Sequence, residues 1–172
     1  IAELALEAGI PDGVLNVVTG FGETAGRALG LHPSVDGITF TGSTEVGKFF
    51  LEYSAHSNMK RVSAETGGKT PNIIFADAPD LDYAIKAVDF TIFWNTGEMC
   101  VAGSRLLVER SIYDDVVERV GLSAASWNPG DPLDPATKAG PVVDETQLNR
   151  IMGYIERGAE SGARLVSGGN RT

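Results

Sequence analysis

Hydrophobic positions along the chain follow two spacings in turn, and their alternation predicts an α/β fold. Short apolar runs bounded by Gly, Pro or polar residues are typical of buried strands, whereas stripes spaced three and four residues apart indicate helices packed on a sheet. The runs predict strands at residues 14–18, 37–41, 60–64, 72–75, 105–108 and 165–166. The stripes predict helices up to Gly9, through Ala28, at 44–55, after Asp80, at 112–125 and from Asp144 until just before Gly162. Elements that alternate in this way pack as α/β layers.

Two features strengthen the helix predictions. Ser111 stands three residues before Asp114, and Asp144 three residues before Gln147, which is the spacing of a capping box. The helix after Asp80 carries an apolar stripe expected to face a sheet. Its members are Leu81, Ala84, Ile85, Val88 and Ile92.

Composition and charge narrow the possible partners. Of the 172 residues, 42% are hydrophobic and 22% charged, which is ordinary globular usage, and the length suits one domain or parts of two. The net charge of −9 comes from 14 basic and 23 acidic residues spread along the chain. Nucleic-acid binding needs clustered Lys and Arg, so no nucleic-acid partner is expected. No apolar run approaches the ~18 residues of a membrane-spanning helix, so no membrane partner is expected either.

The cysteine count and the chain ends bear on compartment and completeness. A single cysteine forms no intrachain disulfide, which favours a reducing compartment and a cytoplasmic protein. The chain opens without Met inside a predicted helix, lacks a basic, cleavable leader, and stops just after a predicted strand. We therefore expect a piece of a longer protein, cut at both ends.

Two glycine-rich turns stand where nucleotide-binding folds hold phosphates. Residues 20–26 read Gly-Phe-Gly-Glu-Thr-Ala-Gly, one residue longer than the dinucleotide fingerprint, so a phosphate contact and a plain tight turn both stay open. Residues 42–48 read Gly-Ser-Thr-Glu-Val-Gly-Lys, nearly a phosphate loop, but Phe49 replaces the hydroxyl residue that ligates Mg²⁺. A phosphate-loop-like nucleotide hydrolase is one hypothesis. The other is that Gly42 allows close backbone approach and Ser43 caps a helix whose N–H groups face a pyrophosphate.

Cys100 and Glu65 are the candidate chemical groups. Small and flexible residues bracket Cys100 between a predicted helix and a strand, a junction from which a side chain can project into a cleft, although most lone cysteines are small buried hydrophobes. Glu65 comes directly after the strand predicted at 60–64 and is followed by Thr66 and a Gly-Gly pair, which suggests a backbone that bends sharply or approaches another group. Its carboxylate is either a general base or a solvated charge. His32 and His56 are interpreted as surface residues. Metal-ligand spacing is absent, so no metal is expected.

Three segments resemble the aldehyde dehydrogenase superfamily. They are Phe-Thr-Gly-Ser-Thr-Glu-Val-Gly at 40–47, Glu-Thr-Gly-Gly-Lys at 65–69 and Asn-Thr-Gly-Glu-Met-Cys-Val-Ala-Gly-Ser-Arg at 95–105. Their order, and the 35 residues that separate Glu65 from Cys100 (100 − 65), are similar to that family as well. The resemblance continues through residues 130–135 and 140–141 and covers the middle third of a full-length enzyme.

The resemblance implies a fold and a set of site residues. Residues 1–66 would be the C-terminal part of a Rossmann-like NAD(P)-binding domain, and residues 67–172 the N-terminal part of an α/β catalytic domain. Cys100 matches the nucleophile, with its backbone N–H as half of an oxyanion hole, and Glu65 matches the general base. The positions that match cofactor-lining residues are Gly22, Gly42, Ser43, Thr44, Glu45, Val46, Gly47 and Thr66.

The implied activity is oxidation of an aldehyde to a carboxylic acid with NAD or NADP as hydride acceptor, through a thiohemiacetal and a thioester on the cysteine. The implied partners are a small aldehyde and, in the full-length protein, one or three further copies in a homodimer or homotetramer. Residues 57–62 and 129–137 are most similar to the bacterial branch that oxidises γ-glutamyl-γ-aminobutyraldehyde and related ω-amino or guanidino aldehydes.

The chain departs from the family pattern in two respects. Thr66, Thr96 and Glu98 stand where the family often has Leu and two Gln, which puts substrate shape and local charge in doubt. The family's groups that complete the oxyanion hole and hold the cofactor riboses lie outside this chain, so the chain alone is expected to be inactive. A non-catalytic piece that binds a nucleotide or a partner is the remaining alternative.

Overall fold

The computed structural model of the protein describes residues 1–171, which divide into two compact units. The first is Ile1–Thr66, and the second begins at Gly67. Each unit contains one strand–helix–strand motif whose two strands are parallel. The prediction of α/β layering is thereby confirmed.

In the first unit a helix connects two parallel strands. The elements are α1 (Ala2–Glu7), α2 (Arg27–Leu31), β1 (Gly37–Gly42), α3 (Thr44–Ala55) and β2 (Arg61–Thr66). Ile38 and Phe40 are half-buried and alternate with exposed residues along β1, as expected of a strand with one face packed on a helix. The ring of Phe40 lies 4.9 Å from the ring of Phe50 in α3, and this contact joins the helix to the sheet.

A buried lysine joins α2 and α3 just before β2. Lys60 is 5% exposed, and its Nζ donates to the Gly30 carbonyl (2.6 Å) and to Ser57 Oγ (2.7 Å). Ser54 Oγ donates in turn to the Lys60 carbonyl (2.7 Å). Cations are favoured at helix C-termini, so this ammonium group stabilises the ends of both helices and fixes the place where β2 begins.

Three predictions for the first unit need correction. Residues 14–18 form no strand, and their apolar side chains are exposed, because no described strand lies beside them to complete a hydrogen-bonded ladder. The helix expected through Ala28 is a π turn, Gly22–Gly26, that continues into α2. The strand expected at 60–64 begins and ends later, so Glu65 and Thr66 lie within β2 rather than after it.

The second unit packs two helices on its strand pair. Its elements are β3 (Pro71–Ile74), α4 (Leu81–Phe93), β4 (Arg105–Val108), α5 (Tyr113–Ala124) and α6 (Glu145–Glu160). Ile74, Ile85, Val88 and Val116 form the buried cluster where β3, α4 and α5 meet. Every member of the apolar stripe predicted for α4 is buried in this cluster or packs against it, so that prediction is confirmed.

The two predicted helix caps have different outcomes. Asp144 caps α6, and its Oδ1 accepts a hydrogen bond from the Gln147 N–H at 2.8 Å. The prediction that Ser111 caps α5 is wrong. A 3₁₀ turn, Arg110–Ile112, precedes α5 and takes Ser111 out of the cap position, and its hydroxyl donates to Glu109 Oε1 at 3.0 Å instead.

The strand predicted at 165–166 is also wrong. Leu165 and Val166 are more than half exposed and belong to no described strand. Val166 rests against α5, because a Cβ on Gly121 would lie 2.9 Å from its Cγ1. An apolar pair is too short a signal to separate a strand from a loop that packs one side chain on a helix.

The helices of the described part are short and amphipathic. The longest, α6, has 16 residues and carries Leu148, Ile151 and Ile155 on one face and charged residues on the other. Within residues 1–171, no helix has the length and apolar character needed to cross a bilayer.

Candidate active site

Glu65 lies at the edge of the first sheet where β1 and β2 both end. The strands run parallel, with Thr41 beside Glu65 and Gly42 beside Thr66. Because parallel strands end at the same edge, the turn from β1 into α3 opens on the side where Glu65 lies. Ligands of open α/β sheets bind outside this carboxyl edge. The predicted base and the predicted cofactor turn therefore share one edge of the first unit.

The N-terminus of α3 opens at this edge. Ser43 is the N-cap, and its Oγ accepts a hydrogen bond from the Val46 N–H at 3.2 Å. The N–H groups of the first turn, including those of Thr44 and Glu45, lack intrahelical carbonyl partners, and the helix dipole makes this end positive. An anionic group such as a pyrophosphate is favoured at such an end.

Gly42 makes room for the ring of Phe40, and Gly47 allows α3 to lie close to the strands. A Cβ on Gly42 would stand 2.5 Å from Phe40 Cζ, and one on Gly47 would stand 3.2 Å from Thr66 Cγ2. Gly47 is itself buried. The side chains of Phe40 and Thr66 therefore pack beneath the first turns of α3 and fix where its N-terminus points.

Gly22 lies in the exposed π turn of the first unit. The Phe21 carbonyl accepts hydrogen bonds from the N–H groups of Thr24 (3.1 Å) and Ala25 (2.9 Å). A Cβ on Gly22 would meet nothing within 4 Å, whereas one on Gly20, which has a φ of 158°, would stand 2.8 Å from Ala25 Cβ. The turn itself thus requires the glycine at 20, and the glycine at 22 leaves an open surface that another molecule can approach.

Cys100 lies in the second unit on an exposed turn that follows α4. After Phe93 the chain passes through Asn95, Thr96 and Gly97, whose φ values are +51°, +55° and +75°. Positive φ is uncommon outside glycine, and its cost persists only where the surrounding structure enforces it, which happens most often at functional sites. This backbone reversal follows the end of α4 at Phe93 and leads to a cysteine that lies at the surface of this unit rather than in its core.

Residues 67–70 run beside the backbone of Cys100. A Cβ on Gly68 would stand 3.0 Å from the Cys100 carbonyl oxygen. Arg105 holds the same segment, because its Nε donates to the Lys69 carbonyl (2.7 Å) and its backbone N–H to the Thr70 carbonyl (3.3 Å). The Gly-Gly pair predicted a close approach to another group, and that group is the Cys100 backbone.

Sequence reasoning missed two residues that hold the backbone after Cys100. Asn72 of β3 donates through its side-chain amide to the Thr91 hydroxyl of α4 and to the Gly103 carbonyl. The available signal was one polar residue at the start of the apolar run Ile-Ile-Phe. In a strand this short, an amide that faces the covered side is expected to have hydrogen-bond partners.

Residues 1–171 contain no group of three or more His, Cys, Asp or Glu side chains suited to a metal ion. His32 and His56 are both exposed, as the sequence predicts. The His32 Nδ1 accepts a hydrogen bond from the Ser34 N–H at 3.1 Å and so serves the turn after α2.

The chain matches a known protein family over its whole length. The sequence model described as "Aldehyde dehydrogenase family" matches residues 1–172. The chain belongs to the aldehyde dehydrogenase family. NADP/NAD-dependent aldehyde dehydrogenase PuuC of Escherichia coli (strain K12) is 50% identical to it over 170 residues, which are 99% of this chain and 34% of PuuC. The chain thus spans about a third of the length of the curated relatives it matches.

Solved structures of other aldehyde dehydrogenases show the same fold. γ-Glutamyl-γ-aminobutyraldehyde dehydrogenase from Burkholderia cenocepacia is 54% identical with a TM-score of 0.95, over 99% of this chain and 34% of that one. The P. syringae indole-3-acetaldehyde dehydrogenase AldA, in complex with NAD+ and IAA, is 54% identical with a TM-score of 0.96 over the same shares. This aldehyde dehydrogenase chain therefore has the α/β fold of the corresponding third of those enzymes.

Proposed function

We propose that the full-length enzyme containing this chain oxidises an aldehyde to a carboxylic acid with NAD or NADP as the hydride acceptor, and that Cys100 is its nucleophile and Glu65 its general base. The observation that carries the proposal is the exposed Cys100 on a backbone reversal with three successive positive φ values, in a chain of this family. A cysteine that served only to fill a core would need neither exposure nor such a turn.

The first unit fits a dinucleotide, and we assign Ile1–Thr66 to the NAD(P)-binding domain and the residues from Gly67 to the catalytic domain. The positive end of α3 suits the pyrophosphate, and Gly47 lets the first turns of α3 lie close to Phe40 and Thr66 of the strands. The contacts are assigned to Gly22, to residues 42–47 and to Thr66. Relatives named for these cofactors include PuuC, which is NADP/NAD-dependent, and AldA, which was solved with NAD+.

The chemistry follows from the properties of a thiolate and a carboxylate. The Cys100 Sγ adds to the aldehyde carbonyl carbon and forms a thiohemiacetal, whose oxyanion accepts a hydrogen bond from the Cys100 backbone N–H. The bound nicotinamide supplies the oxidant, since loss of a hydride from the former aldehyde carbon leaves a thioester on Cys100. Glu65 then takes a proton from water, the resulting hydroxide attacks the thioester, and the acid and the free thiolate are released.

Two substitutions separate the two steps. Cys100→Ala in the full-length enzyme removes the nucleophile and is expected to lower aldehyde-dependent NADH formation by at least about 10⁴-fold, because the nucleophile of a covalent mechanism has no substitute. Glu65→Gln is expected to leave one turnover of NADH formation and to slow the hydrolysis that follows by roughly 10²- to 10⁴-fold. Stopped-flow absorbance at the NADH band measures both. Undiminished turnover by Cys100→Ala would remove the proposal.

For the substrate we propose the ω-amino and guanidino aldehydes, with γ-glutamyl-γ-aminobutyraldehyde as the leading member. The likeness to the Burkholderia cenocepacia enzyme that is named for that aldehyde supports this choice. The P. syringae indole-3-acetaldehyde dehydrogenase is equally similar, so aromatic aldehydes form the comparison set. A kcat/KM panel of both classes tests the choice, and a preference for indole-3-acetaldehyde would reverse it.

A phosphate-loop nucleotide hydrolase remains the competing activity at residues 42–48. Only Ser43 separates β1 from α3, whereas a phosphate loop needs several backbone N–H groups between its strand and its helix. The structure therefore favours a capped helix end over a loop that wraps a triphosphate. Mg²⁺-dependent phosphate release that Lys48→Ala abolishes would support the competing activity.

The full-length enzyme is expected to form a homodimer or homotetramer and to lie in the cytoplasm. Light scattering after gel filtration measures the number of chains in the assembly. A purely nucleotide-binding role is the other alternative. It would be supported if the full-length protein bound NAD+ in calorimetry and formed no acid from any aldehyde in the panel.

A further inference from the structure

The backbone after Cys100 is fixed by a hydrogen-bonded clamp. Ala102 donates its N–H to the Met99 carbonyl (3.0 Å) and closes a turn around Cys100. Gly103, the next residue, donates its N–H to the Thr91 carbonyl at 3.2 Å. Ala102 and Gly103 are both buried, so the turn that presents the exposed thiol is anchored by two buried residues.

Asn72 completes the clamp from the neighbouring strand. Its Nδ2 donates to the Gly103 carbonyl (3.2 Å) and to Thr91 Oγ1 (3.1 Å), and the Thr91 hydroxyl donates onward to the Val88 carbonyl (3.0 Å). A carbonyl only accepts, and the Thr91 hydrogen is already committed to Val88, so both N–H groups of the amide are used and its orientation is fixed. Hydrogen bonds connected in one direction in this way strengthen one another.

The contact between Asn72 and Gly103 leaves no room for a side chain at position 103. A Cβ there would stand 2.0 Å from Asn72 Nδ2 and 2.8 Å from its Cγ. At Gly68, too, a side chain has no room, because a Cβ there would stand 3.0 Å from the Cys100 carbonyl oxygen. The segment 100–103 is thus held from β3, from α4 and from the residues before β3, all within the second unit.

We propose that Asn72, acting with Thr91, is a positioning residue for the nucleophile. The hydrogen bonds of its amide go to Gly103 and Thr91 and not to the thiol. It sets the backbone of Gly103 and through it the placement of the Cys100 Sγ and N–H. This inference rests on the proposed role of Cys100, and a misplacement of about 1 Å at a reacting group costs up to roughly 100-fold in rate.

The substitutions separate the loss of a hydrogen-bond donor from the loss of bulk. Asn72→Asp keeps the shape but turns a carboxylate toward the Gly103 carbonyl, with no hydrogen to donate. Thr91→Val keeps the branched shape but removes the hydroxyl, and Thr91→Ser keeps the hydroxyl but removes the methyl group. Valine and serine have similar helix propensities, so the threonine pair isolates the hydrogen bond.

The experiment measures single-turnover NADH formation, KM for NAD+ and Tm in the full-length enzyme. We expect Asn72→Asp to slow NADH formation roughly 10- to 100-fold and Thr91→Val several-fold, with KM for NAD+ changed less than about twofold, because the clamp lies outside the cofactor-binding unit. Thr91→Ser is expected to retain the parental rate. If Asn72→Asp does not fold, the threonine pair decides the matter alone.

Three results would overturn the inference: a parental rate in Asn72→Asp or Thr91→Val, an equal loss in Thr91→Ser and Thr91→Val, or a rise in KM for NAD+ that matches the loss of rate. Cys100→Ala is run beside them. If that variant is active, the proposed function fails. If it is inactive and Asn72→Asp is not slowed, only the positioning role fails.

Discussion

The two strand–helix–strand motifs place their candidate chemistry at opposite ends of their strands. In the first motif, Glu65 and the N-terminus of α3 lie where β1 and β2 end. In the second, Gly68 precedes β3 and Cys100 precedes β4, so both lie where the strands begin. The first motif follows the rule that ligands bind at the carboxyl edge of a parallel sheet, and the second does not.

The connections between helix and strand explain this difference. In the first motif only residues 56–60 join α3 to β2, and the hydrogen bond from Lys60 Nζ to the Gly30 carbonyl holds this short connection in place. In the second motif residues 94–104 join α4 to β4, and this longer connection carries both the backbone reversal and Cys100. The extra length carries the proposed nucleophile, and functional residues are common on loops that a rigid frame positions.

The carboxyl ends differ in the complementary way. In the second unit a side chain closes them, because Glu109, just after β4, accepts hydrogen bonds from the Ala76 N–H (2.8 Å) and the Ser111 hydroxyl (3.0 Å). In the first unit the same edge presents the N–H groups of α3. Within its own unit, the carboxyl edge of the strand pair is therefore open in the first unit and closed by a side chain in the second.

The largest expected difference between the units is in their tolerance of a methyl group. Gly103→Ala would press a Cβ onto an amide that two hydrogen bonds hold in place, and we expect it to lower the free energy of unfolding by about 3 kcal/mol. Gly42→Ala presses on the ring end of Phe40, a half-buried apolar side chain that no hydrogen bond holds in place, and is expected to cost about 1 kcal/mol. Urea unfolding of both variants measures the difference, and an equal or reversed order would break the comparison.

Loss of a helix cap is expected to have a smaller effect on stability, equal in the two units, but to change KM for NAD+ in only one of them. Ser43→Ala and Asp80→Ala each remove a side-chain cap, from α3 and α4 respectively, and each is expected to lower the free energy of unfolding by about 1 kcal/mol. Only Ser43→Ala is expected to raise KM for NAD+, by about two- to fivefold, because only that helix end faces the proposed cofactor. Equal KM values for the two variants would contradict the assignment of the first unit.

The smallest effect concerns Glu109 and pH. The Ala76 N–H, and after it the Ser111 hydroxyl, lower the pKa of Glu109 from its ordinary value of 4.5. A lowered pKa means that the ionised group stabilises the fold above about pH 4.5 and that this stabilisation is lost as the pH falls through the folded-state pKa. The Tm advantage of the parent over Glu109→Gln should therefore shrink on acidification, as calorimetry across this range would show. An advantage that grows toward acid pH has the wrong sign for this account.

Local signals were sufficient for much of the fold. The helix predicted at 44–55 is α3, and the cap at Asp144 is present, because both depend on neighbours in sequence. The strand predicted at 105–108 is β4, for which β3 supplies the partner. The strands predicted at 14–18 and 165–166 are absent because a strand needs a partner from elsewhere in the chain, which an apolar run does not reveal.

In the candidate site, too, the features carried by contiguous residues could be predicted, and those that depend on the folded chain could not. The motifs around Glu65 and Cys100 could be found from the sequence because the family resemblance is carried by contiguous residues. The positive φ at Asn95 and Thr96 could not, since neither residue is a glycine. The amide of Asn72 reaches a carbonyl 31 residues away, and only the folded chain brings the two together.

The most direct test of the central claim is mass spectrometry of the full-length Glu65→Gln enzyme after it has been mixed with NAD+ and aldehyde. Slowed hydrolysis should let the acyl-enzyme accumulate. We predict one acyl group per active site, located after digestion on the peptide that contains Cys100. Acyl groups on a different residue, or rapid acid formation with an unmodified Cys100 peptide throughout, would contradict the account.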